Sequence, residues 1–313
     1  MTQSTPNRRT LWLALVVALV ALAAILVTQW EFLWGIMPGR VGAPEATIVV
    51  TTLVEETEPV ARLAVLGDVG TGEADEWATA NLVVEASDPH PFDGLVLLGD
   101  NVYPDGNPDR LEATVFDPFG PVLDQGTDLL AVLGNHDVDS GYAEGQVEAL
   151  SMPGRWYSEE IGSVLFIGLD SNVVENSDQM RWLESTLADT DPNQWVIVAM
   201  HHPAYSGGFH GPTWDVRLDW VPLFEQHGVD LVLAGHDHDY QRMVPIEGVT
   251  YIVSGGGARL RPADYADDTE YAASVLHYLD IAVWEDRVEV TAVSSAGAFD
   301  HVTITKAGEH TDE

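Results

Sequence analysis

Five short apolar segments of the sequence each lead into side chains that bind metal ions. The side chains that follow them are Asp68, Asp100 with Tyr103, Asn135, His201, and His236 with His238. Carboxylates, imidazoles and carbonyl oxygens suit hard and borderline metals, and one carboxylate can bridge two cations. The pattern therefore predicts a site for two metals, with Asp100 as the candidate bridge. Two metals about 3.5–4 Å apart can bind a phosphoryl oxygen, acidify water and stabilise a leaving oxygen.

The apolar segments themselves are typical of buried strands. Each is a short apolar run closed by turn residues, which favours a strand of a parallel sheet. In open α/β sheets, ligands bind at the carboxyl ends of such strands. Any one of these motifs could be an ordinary turn or a core histidine, but five in order, each after a strand, predict one common site at the edge of the sheet.

Hydrophobic periodicity and turn residues predict the remaining elements. Helices are predicted at Glu73–Ser87, Asp109–Phe116, Ser177–Ala188 (capped by Ser177) and Arg217–His227; a hairpin at Ser151–Asp170; strands at Thr47–Val54, Thr250–Val253, Tyr278–Trp284, Val288–Val293 and Val302–Ile304; and loops at Asp117–Asp128 and Ala204–Trp214. Alternating strands and helices followed by a strand-rich region predict an α/β fold, a layered sandwich with sheets inside and helices outside.

The amino terminus predicts a membrane anchor. A polar segment with Arg8 and Arg9 (1–10, a cytoplasmic tail) precedes a long apolar segment (11–37). About 20 apolar residues span a bilayer, and Trp30 and Trp34 suit its interface. The alternative is a cleaved signal peptide with its processing site near Ala43. A connector (38–60), a catalytic domain (61–305) and a polar tail (306–313) complete the predicted organisation, with the domain outside the membrane.

The chain is strongly acidic. Its 13 Lys and Arg against 50 Asp and Glu give a net charge of −37, and residues 41–313 hold 10 of the basic and 49 of the acidic residues, a net charge of −39. Such a domain repels polyanions, which argues against nucleic acid as a partner. The acidity is consistent with a high-salt habitat or with a composition bias of the lineage. Cysteine is absent, so no disulfide framework is expected.

The five blocks together resemble the purple acid phosphatase type of the calcineurin-like metallophosphoesterases, from about Leu63 to Ile304. The resemblance implies a four-layer αββα sandwich of two mixed sheets flanked by helices. It also implies a binuclear centre of Fe(III) and a divalent Fe, Zn or Mn. The ferric ion would be bound by Asp68, Asp100, Tyr103 and His238, and the divalent metal by Asp100, Asn135, His201 and His236.

Tyr103 distinguishes this type within the superfamily. Broader calcineurin-like phosphoesterases commonly carry a histidine two places after the first aspartate, where this chain has Gly70. A tyrosine is ordinarily protonated, but a trivalent cation can displace the proton and retain a phenolate ligand. The alternative is that Tyr103 is an aromatic residue of a loop without a metal.

Two further histidines resemble residues of the family that face the substrate. His210, in His210-Gly-Pro-Thr213, resembles a phosphate-contacting histidine that can act as general acid, and its alternative is an ordinary loop residue. His136 is the second candidate for general acid work. His202 follows the ligand His201, and a packing role and a substrate role both stay open for it.

The resemblance implies a membrane-anchored extracytoplasmic phosphatase. Its substrates would be phosphorylated small molecules, hydrolysed as phosphate monoesters by in-line attack of a metal-bound hydroxide. A phosphodiesterase or nucleotidase using the same site is the alternative. A non-catalytic binding module is disfavoured because all seven ligands are present.

Overall fold

The computed structural model of the protein describes residues 58–306. The predicted tail, the anchor at 11–37, nearly all of the connector and the strand predicted at Thr47–Val54 lie outside this range, as does most of the polar tail. Within residues 58–306, no helix is both long enough and apolar enough to cross a membrane.

A six-stranded sheet carries the first three predicted ligand strands. In spatial order it consists of β13 (Gly297–Ile304), β12 (Val288–Ser294), β11 (Tyr278–Val283), β1 (Ala61–Leu66), β2 (Gly94–Leu97) and β3 (Asp128–Ala131). Strands β1, β2 and β3 are parallel, whereas β11, β12 and β13 form an antiparallel set that pairs with β1. The carboxyl ends of β1, β2 and β3 therefore meet at one edge.

A seven-stranded sheet carries the histidine ligands. In spatial order it consists of β10 (Thr269–Ala273), β8 (Tyr240–Met243), β9 (Thr250–Ser254), β7 (Leu231–Ala234), β6 (Trp195–Met200), β5 (Val164–Gly168) and β4 (Tyr157–Ile161). Strands β5, β6, β7 and β9 are parallel. The predicted hairpin at Ser151–Asp170 is confirmed as the antiparallel pair β4 and β5.

Seven α-helices lie among the described residues. They are α1 (Ala74–Ala86), α2 (Asp117–Leu123), α3 (Asn135–Val138), α4 (Ala143–Ala149), α5 (Ser177–Ala188), α6 (Trp214–Asp219) and α7 (Val221–His227). The short turns Pro108–Arg110 and Ser171–Val173 are 3₁₀-helical, and Glu112–Phe116, just before α2, is π-helical. These helices supply the outer layers of the molecule.

Side-chain alternation in β6 separates the two apolar cores. Ile197 and Ala199 point into the core that includes residues of the six-stranded sheet, whereas Val196, Val198 and Met200 point into the core that is covered by α5, α6 and α7. Successive side chains of a strand face opposite sides, so an all-apolar strand must be covered on both. The predicted four-layer αββα architecture is thereby confirmed, with two mixed sheets between helices.

Several local predictions were wrong. The segment Asp117–Asp128 is not all loop, because α2 begins at Asp117 and buries Phe119 and Val122 despite its prolines. The N-cap of α5 is Asn176, whose side chain accepts hydrogen bonds from the N–H groups of Asp178 and Gln179. The predicted helix at Arg217–His227 is two helices, α6 and α7, that meet at Trp220. Strands β8 and β10 were missed.

Candidate metal centre

Three predicted ligands form a first cluster of donor atoms. The Tyr103 hydroxyl lies 3.1 Å from Oδ1 of Asp68 and 3.2 Å from Nε2 of His238. The Asp68 oxygen and the His238 nitrogen are 3.4 Å apart. All three side chains are buried. They follow β1, β2 and β7, so the two sheets contribute jointly to this cluster.

A second cluster forms around His201. Its Nε2 lies 3.1 Å from Oδ1 of Asn135 and 3.2 Å from Nδ1 of His236. The same nitrogen is 3.6 Å from Oδ1 of Asp100. These residues follow β3, β6, β7 and β2, which again combines both sheets. The structure thus brings all seven predicted ligands together in two adjacent groups.

The donor atoms fit metal ions better than they fit each other. Nδ1 of His201 lies 2.9 Å from the Leu98 carbonyl and donates to it, which leaves Nε2 as a lone pair facing the amide oxygen of Asn135. In the neutral ring these two atoms are both acceptors, so a proton or a metal cation must lie between them. Ligands about 2.0–2.2 Å from one metal lie about 3 Å from each other. The separations in the two clusters run from 3.1 to 3.6 Å, close to or slightly above this value.

Asp100 lies between the clusters, as a bridging ligand must. Ligand atoms of Asp68, Asp100 and His201 all fall within 4.8 Å of one another. Burial, together with the Asp68 and Asp100 carboxylates that act on the Tyr103 hydroxyl, raises the pKa of Tyr103 far above its ordinary value. A phenolate at this position therefore requires a cation to balance it.

Burial also controls the protonation of the other ligands. It raises the pKa of Asp100, against the opposing effect of His201. Burial, together with the neighbouring His201 and His202, lowers the pKa of His236 far below its ordinary value. Burial alone would lower the pKa of His201, but the Asp100 and Asp68 carboxylates raise it above its ordinary value. A metal would replace that proton and satisfy both carboxylates.

Three of the ligands occupy an unusual backbone conformation. Asp68, Asp100 and His236 have φ angles of 59°, 53° and 70°, in the left-handed region that non-glycine residues rarely adopt. Each lies in the turn that follows its strand, two or three residues beyond the strand end. Such conformations are found where the surrounding structure holds a functional side chain in place.

Gly70 lies at the position where broader calcineurin-like phosphoesterases commonly carry a histidine, and its lack of a side chain has a structural role. A Cβ atom on Gly70 would lie 2.3 Å from the backbone nitrogen of Val102, so no side chain fits. The N–H of Tyr103 donates to the Gly70 carbonyl over 2.7 Å. The absence of a side chain at position 70 is thus what allows the loop carrying Tyr103 to approach the segment after β1.

The two general acid candidates lie on different sides of the centre. The His210 ring is 4.3 Å from the ring of His236, and its backbone N–H donates to Asp237 over 2.7 Å. The His136 ring is 4.8 Å from that of Tyr103, and its Nδ1 lies 2.6 Å from the Pro104 carbonyl. Donation from Nδ1 leaves Nε2 of His136 available for a substrate.

His202 is a half-buried neutral imidazole beside the second cluster. Burial, aided by the neighbouring His201 and His210, lowers the pKa of His202 to about 3. Its Nδ1 lies 2.9 Å from the Ser171 hydroxyl. His201, His202 and His236 form a second group whose nitrogens could hold a metal. His202 therefore packs against the ligands and can extend the site without carrying charge.

Two aspartates missed in the sequence hold the ligand loops together. Asp137 accepts hydrogen bonds from the backbone N–H groups of Asn101, Val102 and Gly134 at 2.9–3.1 Å, which joins the Asp100 loop to the Asn135 turn. Asp237 accepts from the Ser206 hydroxyl and from the His210 N–H. The sequence did offer one signal for both aspartates, because each lies in a triplet with predicted site residues, Asn-His-Asp or His-Asp-His.

Comparison with known proteins identifies the class. The calcineurin-like phosphoesterase family matches residues 61–240, more than half of the chain, so the chain belongs to this family. Tartrate-resistant acid phosphatase type 5 of Sus scrofa is 26% identical over 311 residues, covering 86% of each protein. The structure of purple acid phosphatase PPD1 from Lupinus luteus seeds superposes with a TM-score of 0.67 at 18% identity, covering 78% of this chain and 53% of that one.

An uncharacterized protein of Mycobacterium tuberculosis is 36% identical over 113 residues, which is 30% of this chain and 21% of that protein. The chain thus spans about a fifth of that relative but most of the acid phosphatase. Relatives named as acid phosphatases confirm the predicted resemblance to the purple acid phosphatase type.

Proposed function

We propose that this protein is a membrane-anchored, extracytoplasmic phosphatase that hydrolyses phosphate monoesters at a centre of ferric iron and a divalent iron, zinc or manganese. The observation that carries the proposal is the pair of donor clusters that meet at Asp100, one of which contains a buried phenol. The resemblance to acid phosphatases over most of the chain supports the monoester substrate. Phosphorylated small molecules are the expected substrates.

Seven residues would bind the two metals. They are Asp68, Asp100, Tyr103 and His238 for ferric iron, and Asp100, Asn135, His201 and His236 for the divalent metal. When bound, the metals act as Lewis acids on the phosphoryl group and lower the pKa of water. These carboxylates and imidazoles would keep the cations at fixed positions, because hydrogen bonds hold their backbone turns.

The remaining histidines would handle the leaving group. Water loses one proton to the solvent as its oxygen forms a bond to phosphorus, the phosphorus–oxygen ester bond breaks, and the departing alkoxide takes a proton to become the alcohol. His210 and His136 flank the donor clusters and are the two candidates for that proton transfer, with burial lowering the pKa of the His210 imidazole. His202, whose pKa is lowered to about 3, is neutral at ordinary pH and is not expected to be the donor.

The proposed location rests on the amino-terminal sequence. Arg8 and Arg9 before the apolar segment 11–37 favour a signal anchor with its amino end in the cytoplasm. The catalytic domain would then lie outside. A cleaved signal peptide would give a secreted form of the same enzyme.

Hydrolysis by intact cells tests activity and location together. We expect cells that express the full chain to release phosphate from membrane-impermeant monoesters without lysis and to retain the activity in the membrane fraction. A phosphodiester panel measured in parallel tests the alternative specificity. Activity that appears only after lysis would contradict the location but not the chemistry. No monoester hydrolysis before or after lysis, with iron, zinc and manganese supplied, would contradict the proposed function.

Replacing Tyr103 with phenylalanine tests the ferric site. If Tyr103 binds ferric iron as a phenolate, charge transfer should give the purified protein a visible colour. Tyr103→Phe keeps the ring but removes the oxygen, so the fold should survive and the colour should disappear. Absorption spectra with metal analysis measure both. Activity should fall only partly, because Asp68, Asp100 and His238 remain on that metal.

Tyr157→Phe is the matched control for this substitution. The Tyr157 hydroxyl is also buried and donates to the Ala131 carbonyl over 2.9 Å, away from the ligands. Its removal should leave the colour unchanged. A colourless, fully active wild-type protein containing zinc or manganese at both positions would show that Tyr103 is not a phenolate ligand of iron.

A further inference from the structure

Most basic side chains of the described region are neutralised by carboxylates. Residues 58–306 contain ten lysines and arginines, and seven of them have a carboxylate oxygen within 4.0 Å. These seven are Arg62, Arg155, Arg181, Arg217, Arg242, Arg287 and Lys306. Such pairing is expected in a domain with this excess of acidic residues, and it leaves few cationic groups for a ligand.

The basic side chains without a carboxylate at that distance all lie at the candidate metal centre. Arg110 donates to the backbone carbonyls of Tyr103 and Thr71 and is thereby occupied. The guanidinium of Arg259 lies over the Tyr103 ring, 4.9 Å from its centroid. That of Arg261 lies 4.4 Å from the centroid of the Phe209 ring, beside His210.

The loop that carries Arg259 and Arg261 is tied to the metal ligands. The backbone N–H of Arg261 donates to the carbonyl of the ligand His238 over 2.9 Å, and its own carbonyl accepts from the Ser274 hydroxyl over 2.7 Å. The N–H of Gly257 donates to the Gly67 carbonyl, directly before the ligand Asp68. Both arginines are therefore presented at a defined edge of the centre.

Acidic residues of the same loop do not neutralise these arginines. Asp268 pairs with Arg217 at 3.9 Å, and Asp264 accepts from the N–H of Tyr265 over 2.8 Å. The contacts of Arg259 and Arg261 with aromatic rings orient the guanidinium groups without cancelling their charge. Both groups remain free to bind an anion, with the planar arrangement of donors that matches a carboxylate or phosphate.

We infer that the preferred substrate carries a second anionic group, a phosphate or a carboxylate, that binds Arg259 and Arg261 while the scissile phosphate occupies the metal centre. This inference rests on the proposed function, because it names the substrate class of that site. The scissile phosphate already has two metals to neutralise it, so two further unpaired cations at the edge suit another charge of the same molecule. In a domain of net charge −39, such a local positive group also lowers the repulsion of a polyanionic substrate.

Matched substrate pairs test this inference. One pair is fructose 6-phosphate and fructose 1,6-bisphosphate, and the other is ethyl phosphate and phosphoglycolate, so the second anion is a phosphate in the first pair and a carboxylate in the second. We expect wild-type kcat/KM to be higher for the doubly anionic member of at least one pair. The double substitution Arg259→Gln/Arg261→Gln should lower that value by about 10- to 100-fold, as expected for lost charged hydrogen bonds. The singly charged partner should change less than about threefold.

Two variants serve as controls. Arg181→Gln/Arg287→Gln removes the same charge from exposed ion pairs elsewhere and should not change the preference. The double substitution Arg259→Lys/Arg261→Lys, which keeps both positive charges, should retain part of the preference for the doubly anionic substrate that the glutamine variant loses. Calorimetric affinities for 3-phosphonopropionate and propylphosphonate, which cannot be hydrolysed, should show the same selective loss in the glutamine variant.

The outcomes separate the possibilities. If the glutamine variant loses kcat/KM selectively for the doubly anionic member of only one pair, the inference is supported. The pair affected then identifies the second anion as phosphate or carboxylate. Equal loss for both members of each pair, or no wild-type preference, would overturn it, since the arginines would then act on the scissile phosphate or have no role. Failure of the metal-loaded wild type on every monoester would instead overturn the proposed function.

Discussion

Replacing Asp100 with alanine should abolish phosphatase activity and lower the metal content at both positions. Asp100 is the carboxylate that lies between the two donor clusters, so its removal takes one ligand from each metal at once. We expect kcat/KM to fall by about 1,000-fold or more, which corresponds to about 4 kcal/mol of barrier. Metal analysis of the purified variant and steady-state kinetics measure the two effects.

Asp100→Asn separates the loss of the ligand from strain in the backbone. Asp100 has a φ of 53°, which asparagine tolerates better than alanine does. Asparagine keeps an oxygen for the N–H of His136, which now lies 3.0 Å from Oδ1, but it removes the negative charge. Both variants should therefore lose activity, and the asparagine variant should fold the more stably.

Asp105→Ala is the control for this prediction. Asp105 is on the same loop, and its carboxylate only accepts a weak hydrogen bond from the N–H of Asn107 at 3.4 Å. The Asp105→Ala variant should retain phosphatase activity and its metal content. Activity of Asp100→Ala within about tenfold of the wild type, about 1.4 kcal/mol, would show that Asp100 does not bridge the metals.

Replacing His210 with alanine should slow the hydrolysis of alkyl phosphates far more than that of p-nitrophenyl phosphate. A general acid contributes about 10²- to 10⁴-fold where the leaving group needs a proton, and little where the leaving group is stable as an anion. His210 lies beside the ligand His236, with its backbone fixed by Asp237. Rates across a series of leaving groups measure the effect.

His136→Ala in the same series decides between the two candidates. The histidine whose loss makes the rate depend more steeply on the leaving group is the proton donor. His227→Ala is the control, because His227 lies at the end of α7 and outside every ligand motif. Equal losses for alkyl and nitrophenyl phosphates in both variants would mean that neither histidine protonates the leaving group.

The ligand set illustrates how far sequence reasoning reaches. The predicted ligands lie one to six residues after the end of an apolar strand, so their position near that end is a local property of the sequence. The parallel arrangement of the strands then brings those ends to one edge. Strand and helix types were predicted well where the periodicity was long, as in α1, β6 and β11. The prediction failed where the burial of apolar side chains outweighed a low helix propensity, as in the proline-containing α2.

Contacts between distant segments could not be predicted. The polar strands β8 and β10 have no alternating pattern and exist because β8 pairs with β9 and β10 pairs with β8. Gly70 looked like a missing ligand, but its lack of a side chain is what admits the Tyr103 loop. Asp137 and Asp237 looked like spacers within motifs, and their hydrogen bonds to remote backbone appear only in the folded chain.

The sequence by itself determined the family, the fold class and which residue types are candidates for metal ligands, because these depend on residue types at short spacing and on the strands that precede them. Tertiary structure alone decided which donor atoms meet and how Asp100 lies between the clusters. It also decided that Arg259 and Arg261, which have no motif, face the centre without a carboxylate partner. The physical reason is that charge pairing and donor-atom distances depend on loops from both sheets, whose approach is set by packing and not by any local pattern.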